Sequence, residues 1–264
     1  MLDADLHSHS THSDGTLTPA VLAARAAERG VKTFALTDHD ELSGLPHARA
    51  EAEARGMRFI DGVEISVTWR TETVHIVGLR IDPTHHGIVD GLRGVRAGRD
   101  ARAARIALDL EAAGVTGALE GARRFATNPQ LVSRTHFARY LVEQGHVPDS
   151  NAAFRRYLTY GKPAYVAHQW AALADAVLWI KAAGGKAVIA HPGRYKLNNK
   201  DSEALLSEFR DLGGEAVEVV TGSHTREQYA AWARYAQRYG LKASAGSDFH
   251  GPGESYMDFG QLPD

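Results

Sequence analysis

Short apolar runs along this chain alternate with stretches whose apolar residues recur at helical spacing, and the first ~90 residues switch regularly between the two. A strand pattern covers about Asp3–Ser8. A helix opens at Thr18-Pro19, with Thr18 as N-cap, Pro19 at the first helical position and Gly30 at the exit. Thr33–Thr37 reads as a short buried strand, Leu45–Arg55 as a helix closed by Gly56, and Met57–Ile60 and Thr73–Leu79 as two further strands. From about Ile88 to Val166 the pattern changes. This segment, rich in Ala, Arg and Leu, reads as helical until a short strand at Ala164-Tyr165-Val166. Alternation then returns: helix Leu173–Ala183, strand Lys186–Ala190, helix Glu203–Leu212, strand Ala216–Val220, helix Arg226–Tyr239, strand Lys242–Ala245.

Strands alternating with helices imply a parallel sheet, open or closed into a barrel. Seven strands lie outside the helical segment. The expected organisation is one α/β domain, 1–87 and 167–264, interrupted by a helical insertion at 88–166.

Composition narrows the function more than the fold. An apolar fraction of 44% with 23% charged residues fits a soluble domain with a sizeable core, and a net charge of −2 disfavours a general nucleic-acid binder. No apolar stretch is long enough for a membrane span, and the start at Leu2-Asp3-Ala4-Asp5 lacks a signal-peptide pattern, so a cytoplasmic enzyme is the expectation. With no cysteine, disulfides, thiolate metal sites and cysteine nucleophiles are excluded. The 14 histidines are the distinctive feature, because several stand beside Asp or Glu at the ends of apolar runs.

His7 and His9, two apart on the first strand, leave the same face, and Asp5 on that face is placed to orient one of them. Asp14 stands in the turn Ser13-Asp14-Gly15. His39 ends the second strand, beside Asp40 as a further supporting carboxylate. Glu64 follows the third strand, His75 lies in the fourth, His191 ends the strand at 186–190, and Asp248 and His250 follow the last. A lone His-x-His says little; six histidines and three carboxylates at matching ends of strands say much more. In α/β barrels the active site is assembled at that rim. Such a set can hold two or three divalent ions; imidazole with carboxylate suits Zn, Mn, Fe or Ni, and Mn is the expected metal, with Zn or Fe as alternatives. Three carboxylates with two or three divalent ions leave a net charge of about +1 to +3, which attracts a phosphate dianion and sustains a metal-bound hydroxide as nucleophile.

In order along the chain, Asp5-Leu6-His7-Ser8-His9, Ser13-Asp14-Gly15, Leu36-Thr37-Asp38-His39-Asp40, Gly62-Val63-Glu64, His75, Ala190-His191-Pro192 and Gly246-Ser247-Asp248-Phe249-His250 resemble the motifs of the PHP (polymerase and histidinol phosphatase) family. The resemblance implies a distorted seven-stranded β/α barrel, in agreement with the strand count. It also implies a trinuclear site: His7, His9, Glu64 and Asp248 on the first metal, Glu64 bridging to a second held by His75 and His191, and Asp14, His39 and His250 on the third. His12 is the alternative to Asp14. Arg134-Thr135-His136-Phe137-Ala138, Gly161-Lys162-Pro163-Ala164-Tyr165-Val166 and His191-Pro192-Gly193-Arg194-Tyr195 are similar to the family's small bacterial nucleotide phosphatases and 5′-to-3′ exoribonucleases. That branch removes the 3′-phosphate of 3′,5′-bisphosphonucleotides or trims short RNA from its 5′ end, so a small phosphorylated nucleotide or short RNA is the implied partner, with no membrane and no obligate protein partner.

On the substrate side, Ser133 as N-cap places Arg134 and His136 in a first helical turn, where amide dipoles favour an anion. Arg134 can grip a second phosphate by two prongs. Lys162, Arg194 and His224 are further candidates for substrate contact. His47, His85, His86, His146 and His168 read as solvated, and Tyr140, Phe154 and Tyr157 as a small core within the insertion. The competing functions are a phosphatase of another metabolite such as histidinol phosphate, a non-catalytic metal-binding accessory module, and an amidohydrolase on a similar barrel. Every ligand position is filled, which weighs against the silent module.

Overall fold

A computed structural model describes residues 1–264. Its strands are β1 (Ala4–Asp5), β2 (Thr33–Leu36), β3 (Arg58–Trp69), β4 (Glu72–Leu79), β5 (Ala171–Ala172), β6 (Lys186–Ile189), β7 (Ala216–Thr221) and β8 (Lys242–Gly246). They pair in the order β1-β2-β3-β4-β6-β7-β8, with the two-residue β5 appended to β3. Beyond β1 the chain stays extended and closes the ring against β8: the Leu6 N–H donates to the Ala245 carbonyl at 3.1 Å and the Asp248 N–H to the His7 carbonyl at 2.9 Å. The result is a nearly closed seven-stranded barrel. Gly246 is required at this seam, since a Cβ there would lie 2.3 Å from His7 Cβ.

The expectation of uniformly parallel strands fails at β4, which runs antiparallel to both β3 and β6. Only Arg70 and Thr71 separate β3 from β4. A parallel connection needs a crossover of a dozen or more residues, so a two-residue loop forces a hairpin. Arg70 takes a positive φ of 55° in that loop, as tight hairpin turns demand. Strand β3 also runs well past the expected end at Ile60, which places Glu64 inside it. Ala164–Val166 forms no strand: after Pro163 the chain turns, with the Tyr165 N–H bonded to the Lys162 carbonyl at 3.1 Å.

Helices α1 (Pro19–Glu28) and α2 (Leu45–Ala54) follow β1 and β2, and α8 (Leu173–Ala182), α9 (Asn199–Asp211) and α10 (Arg226–Tyr239) alternate with β6 to β8. The Thr18 hydroxyl accepts from the Val21 N–H at 3.4 Å, as expected of an N-cap. Helix α9 starts before the expected Glu203 because Asn198 caps it through the Asp201 N–H at 2.9 Å. Between β4 and β5 lie α3 (His86–Ala97), α4 (Arg99–Ala112), α5 (Ala118–Arg123), α6 (Arg134–Glu143) and α7 (Ser150–Ala153), the last running into a π-helical turn at Phe154–Leu158. Residues of this stretch, among them Ile106, Leu110, Phe137, Leu141 and Leu158, form an apolar cluster of their own. No helix is long and apolar enough to cross a membrane.

Alternation along the strands aims the chemistry. Ile60, Val77, Leu79, Val188 and Ala216 form one buried apolar cluster. Glu64, His75 and Glu218 lie at even spacing from them on the same strands, so the same face carries the apolar plug and, further along, the polar site.

Candidate metal and phosphate site

Glu64, fully buried on β3, is the hub of the site. Its Oε1 lies 2.9 Å from both His75 Nδ1 and His191 Nε2. Its Oε2 lies 2.9 Å from His39 Nδ1 and 3.3 Å from both His7 Nε2 and His9 Nε2. Asp248 Oδ1 is 3.2 Å from His9 Nε2 and 3.6 Å from His250 Nδ1. Asp14 Oδ1 is 3.3 Å from His250 Nε2 and 3.9 Å from His39 Nε2. The structure thus brings all nine expected metal-ligand candidates together, in overlapping groups whose donor atoms fall within 4.8 Å of one another. His12 stands apart, its Nδ1 paired with Ser43 Oγ at 2.8 Å.

The donor set fits divalent cations. Asp14 Oδ1 and Glu64 Oε2 are buried oxygens with no hydrogen-bond donor, and His7 and His9 turn their Nε2 atoms toward each other at 3.1 Å. Buried oxygens left unsatisfied, like Asp14 Oδ1 and Glu64 Oε2, are what a metal ion satisfies. Burial alone would neutralise Glu64, Asp14 and Asp248. The histidines around them, His39 foremost for Glu64 and Asp14 and His7 for Asp248, hold all three well below the usual carboxylate range. Burial lowers His75 to about 4, so its ring is a neutral donor at pH 7.

Backbone strain and neighbouring carboxylates shape this geometry. His191 and Asp248 hold positive φ of 27° and 56°, and Asp40 of 52°; non-glycine residues stay in that region only where surroundings over-determine them. Asp38 accepts the Ser10 N–H at 2.7 Å and the Ser10 and Ser13 hydroxyls at 2.6 Å, pinning the loop that carries His9 and Asp14. Glu218, absent from the sequence expectations, pairs with His7 Nδ1 at 2.7 Å and accepts the His191 N–H at 2.5 Å. A lone carboxylate inside the apolar strand Ala216–Thr221 was its available signal.

The two supporting carboxylates act differently from expectation. Asp5 touches no imidazole; it accepts the His7 N–H at 3.4 Å and the Ser247 N–H at 2.9 Å, tying the two edges of the barrel seam. Burial raises its pKa to about 7. Asp40 accepts the Ser66 N–H at 2.8 Å and pairs with the buried Arg99 of α4.

Beside the ligands lies a cavity of about 130 Å³ lined by Arg99, Arg102, Arg134 and Arg194 among others. Arg194 donates to Asp248 Oδ2 at 2.7 Å. Ser133 caps α6 and also donates to Asp14 Oδ2 at 3.1 Å, so the helical segment touches the cluster directly. Arg134 and Arg194, two of the five expected substrate contacts, line this cavity beside the metal-ligand candidates. The other three expected contacts do not line it. His136 is buried and its Nδ1 accepts the Ser133 N–H at 3.0 Å, completing a capping box. Both ring nitrogens of His224 are engaged, with the Gly193 N–H at 2.8 Å and the Val219 carbonyl at 3.0 Å. Lys162 is exposed and lines neither this cavity nor the one next to it. Arg99 and Arg102 escaped sequence reading, because arginines at helical spacing look like a solvated face. Of the histidines read as solvated, His85 caps α3 through the Gly87 N–H and His168 packs on Trp170 at 4.3 Å. Tyr140 and Tyr157 do belong to the helical segment's core, whereas Phe154 also lines the cavity.

Comparison with known proteins agrees with this geometry. The chain is 52% identical over 264 residues to the 3′,5′-nucleoside bisphosphate phosphatase of Chromobacterium violaceum, covering 100% of this chain and 93% of that protein. It is 43% identical over 248 residues to a 5′-3′ exoribonuclease of Haemophilus influenzae, covering 94% and 90%. A solved structure of an amidohydrolase from Chromobacterium violaceum, with sulfate bound, superimposes with a TM-score of 0.97 at 51% identity, covering 100% of this chain and 92% of that one. A metal-dependent phosphoesterase from Bifidobacterium adolescentis superimposes at 0.88 with 26% identity, covering 98% and 92%. The PHP domain profile matches residues 5–222. With its motif residues gathered at one rim of a distorted barrel, the chain belongs to the PHP domain family.

Proposed function

We propose that the chain is a metal-dependent phosphoester hydrolase that removes the 3′-phosphate of 3′,5′-bisphosphonucleotides, giving a 5′-nucleotide and phosphate. The observation that carries this reading is the juxtaposition of the nine-residue cluster with a wall of arginines in one cavity. The similarity to a bisphosphate phosphatase over the whole chain supports the choice of substrate.

In this reading His7, His9, Glu64 and Asp248 hold one ion, Glu64, His75 and His191 a second, and Asp14, His39 and His250 a third, with Mn as the metal. When bound, the ions supply Lewis acidity and a nucleophile drawn from water. The protein supplies position. Arg134 and Arg102 hold the phosphate that does not react, and Arg194 meets the scissile group from the Asp248 side. Residues 88–166 act as the lid that carries the first two of these arginines. Trimming of short RNA from its 5′ end is the second reading, favoured by the similarity to an exoribonuclease. One experiment tests the set: protein purified without chelator is assayed for bound metals and for phosphate release from bisphosphonucleotides, mononucleotides, histidinol phosphate and short RNA. Release from histidinol phosphate in preference to bisphosphonucleotides would reject the proposal.

A further inference from the structure

The metal cavity does not end at its arginines. A second cavity of about 480 Å³ lies on their far side, and Arg102, Arg134, Trp170 and Arg194 line both. Of the four arginines, Arg99 is neutralised by Asp40 and Arg194 by Asp248. Arg102 and Arg134 have no carboxylate partner; each donates to a backbone carbonyl, of Val166 and Leu158 respectively, at 3.2 Å. Burial and the nearby charges of Arg134 and Arg99 lower Arg102 to about 9, which still leaves it cationic at neutral pH. The shared wall therefore carries two arginines, Arg102 and Arg134, that form no ion pair.

Beyond the wall the second cavity is aromatic. Tyr160 is 80% exposed and stands edge-on to Tyr165, with ring centroids 5.5 Å apart. Neither ring belongs to an apolar core, so packing does not account for them. Aromatic faces beside a cationic groove are the means by which proteins hold unpaired bases, since every base offers a π-face while its phosphate seeks arginine.

We propose that this second cavity is a nucleobase subsite, in which Tyr160 and Tyr165 stack on a base whose phosphate rests against Arg102 and Arg134. The inference rests on the nucleotide reading above and extends it from the reacting phosphate to the base. A sugar phosphate alone would satisfy the arginines and leave the aromatic half of the cavity unused.

The test is calorimetric binding to the metal-loaded protein of adenosine 5′-monophosphate, ribose 5-phosphate and a hydrolysis-resistant phosphorothioate-linked diadenylate. The nucleotide is expected to bind about tenfold more tightly than ribose 5-phosphate. Tyr160→Ala and Tyr165→Leu should erase that difference. If the mononucleotide shows no preference but the diadenylate does, and the tyrosine variants remove it, the subsite holds the base of the following nucleotide. Absence of any base preference, or equal losses on sugar phosphate and nucleotide, overturns the proposal. Phosphate release from a bisphosphonucleotide is measured in parallel. Base preference without release would reject the nucleotidase reading and keep the subsite; release without base preference would do the reverse.

Discussion

Glu218 Oε1 lies 2.7 Å from His7 Nδ1, so the carboxylate fixes the ring with Nε2 turned toward Glu64 and Asp248. The other oxygen of Glu218 accepts the His191 N–H, and one buried side chain thereby orients two proposed ligands. Partners of this kind set ligand tautomer and basicity, and their loss typically costs about 10–100-fold in metal affinity. Glu218→Ala is expected to show that loss in chelator competition, with Glu218→Gln falling between it and wild type. An unchanged affinity would demote the contact to fold support.

Glu64→Ala and Asp248→Ala should each lose at least one metal and nearly all turnover. Each removal takes away a ligand and disturbs the charge balance among the histidines. His47→Ala, remote from the cavity, should leave both quantities unchanged. Metal analysis beside rate measurement decides, and full metal content with near-normal turnover would reject the ligand assignment.

The unpaired arginines give a substrate-selective prediction. Arg134→Ala or Arg102→Ala should lower kcat/KM for a bisphosphonucleotide by about ten- to a hundredfold, the worth of a charged hydrogen bond of about 1.5–3 kcal/mol. A generic aryl phosphate should suffer far less, since it lacks the second phosphate. Arg134→Lys should rescue in part only, because an ammonium cannot make the forked contact. Equal losses on both substrates would mean that the arginines serve folding or the metals.

Arg99 and Asp40 join the helical segment to the barrel through a buried ion pair. Arg99→Ala leaves the carboxylate buried without its cation and should destabilise the protein by about 3–5 kcal/mol in denaturant unfolding. The double variant Arg99→Ala/Asp40→Ala should be less destabilised than the sum of the singles. Additive behaviour would deny the coupling.

His136 supplies the acid-dependent prediction. Burial, the largest cause, lowers its pKa to about 4, below the ~6.5 of an unfolded chain. The unfolded state therefore binds the proton first. The associated stability is complete above about pH 6.5 and declines as pH falls toward 4, by about 2 kcal/mol at pH 5. His136→Gln keeps a capping-box acceptor at this position and removes the titration. The drop in unfolding midpoint between pH 7 and pH 5 should shrink accordingly; an undiminished drop would place the acid sensitivity elsewhere.

Much of the site was legible in the sequence because most of its donors sit near strand ends, where apolar runs stop and His and Asp begin; Glu64 and His75, inside β3 and β4, are the exceptions. The barrel was legible for the same reason. Strand β3 was read short because both its faces are covered: Glu64 and Ser66 are as buried as Val63 and Ile65, so the alternation that marks a half-exposed strand is missing. The reversed β4 was hidden by its two-residue turn, which lacks the glycine that usually announces a hairpin. Arg99, Arg102 and Glu218 were invisible for a different reason. Their roles depend on which way a helix or strand faces after packing, and polar side chains at those spacings read equally well as solvent-facing.

The seam that closes the barrel joins residues from opposite ends of the chain, as in the bond between Asp5 and Ser247 across 242 positions. His7 and His9 leave the ribosome first, and Asp248 and His250 come last. A growing chain therefore carries six or seven of the nine donors throughout most of its synthesis, and the set is complete only after β8 has docked beside β1. Such distant pairing is slow to form, and metal affinity that depends on it becomes folding free energy. On the proposed ligand assignment, capture of the full metal complement marks a finished barrel, and a chain arrested before β8 lacks Asp248 and His250, the last two donors.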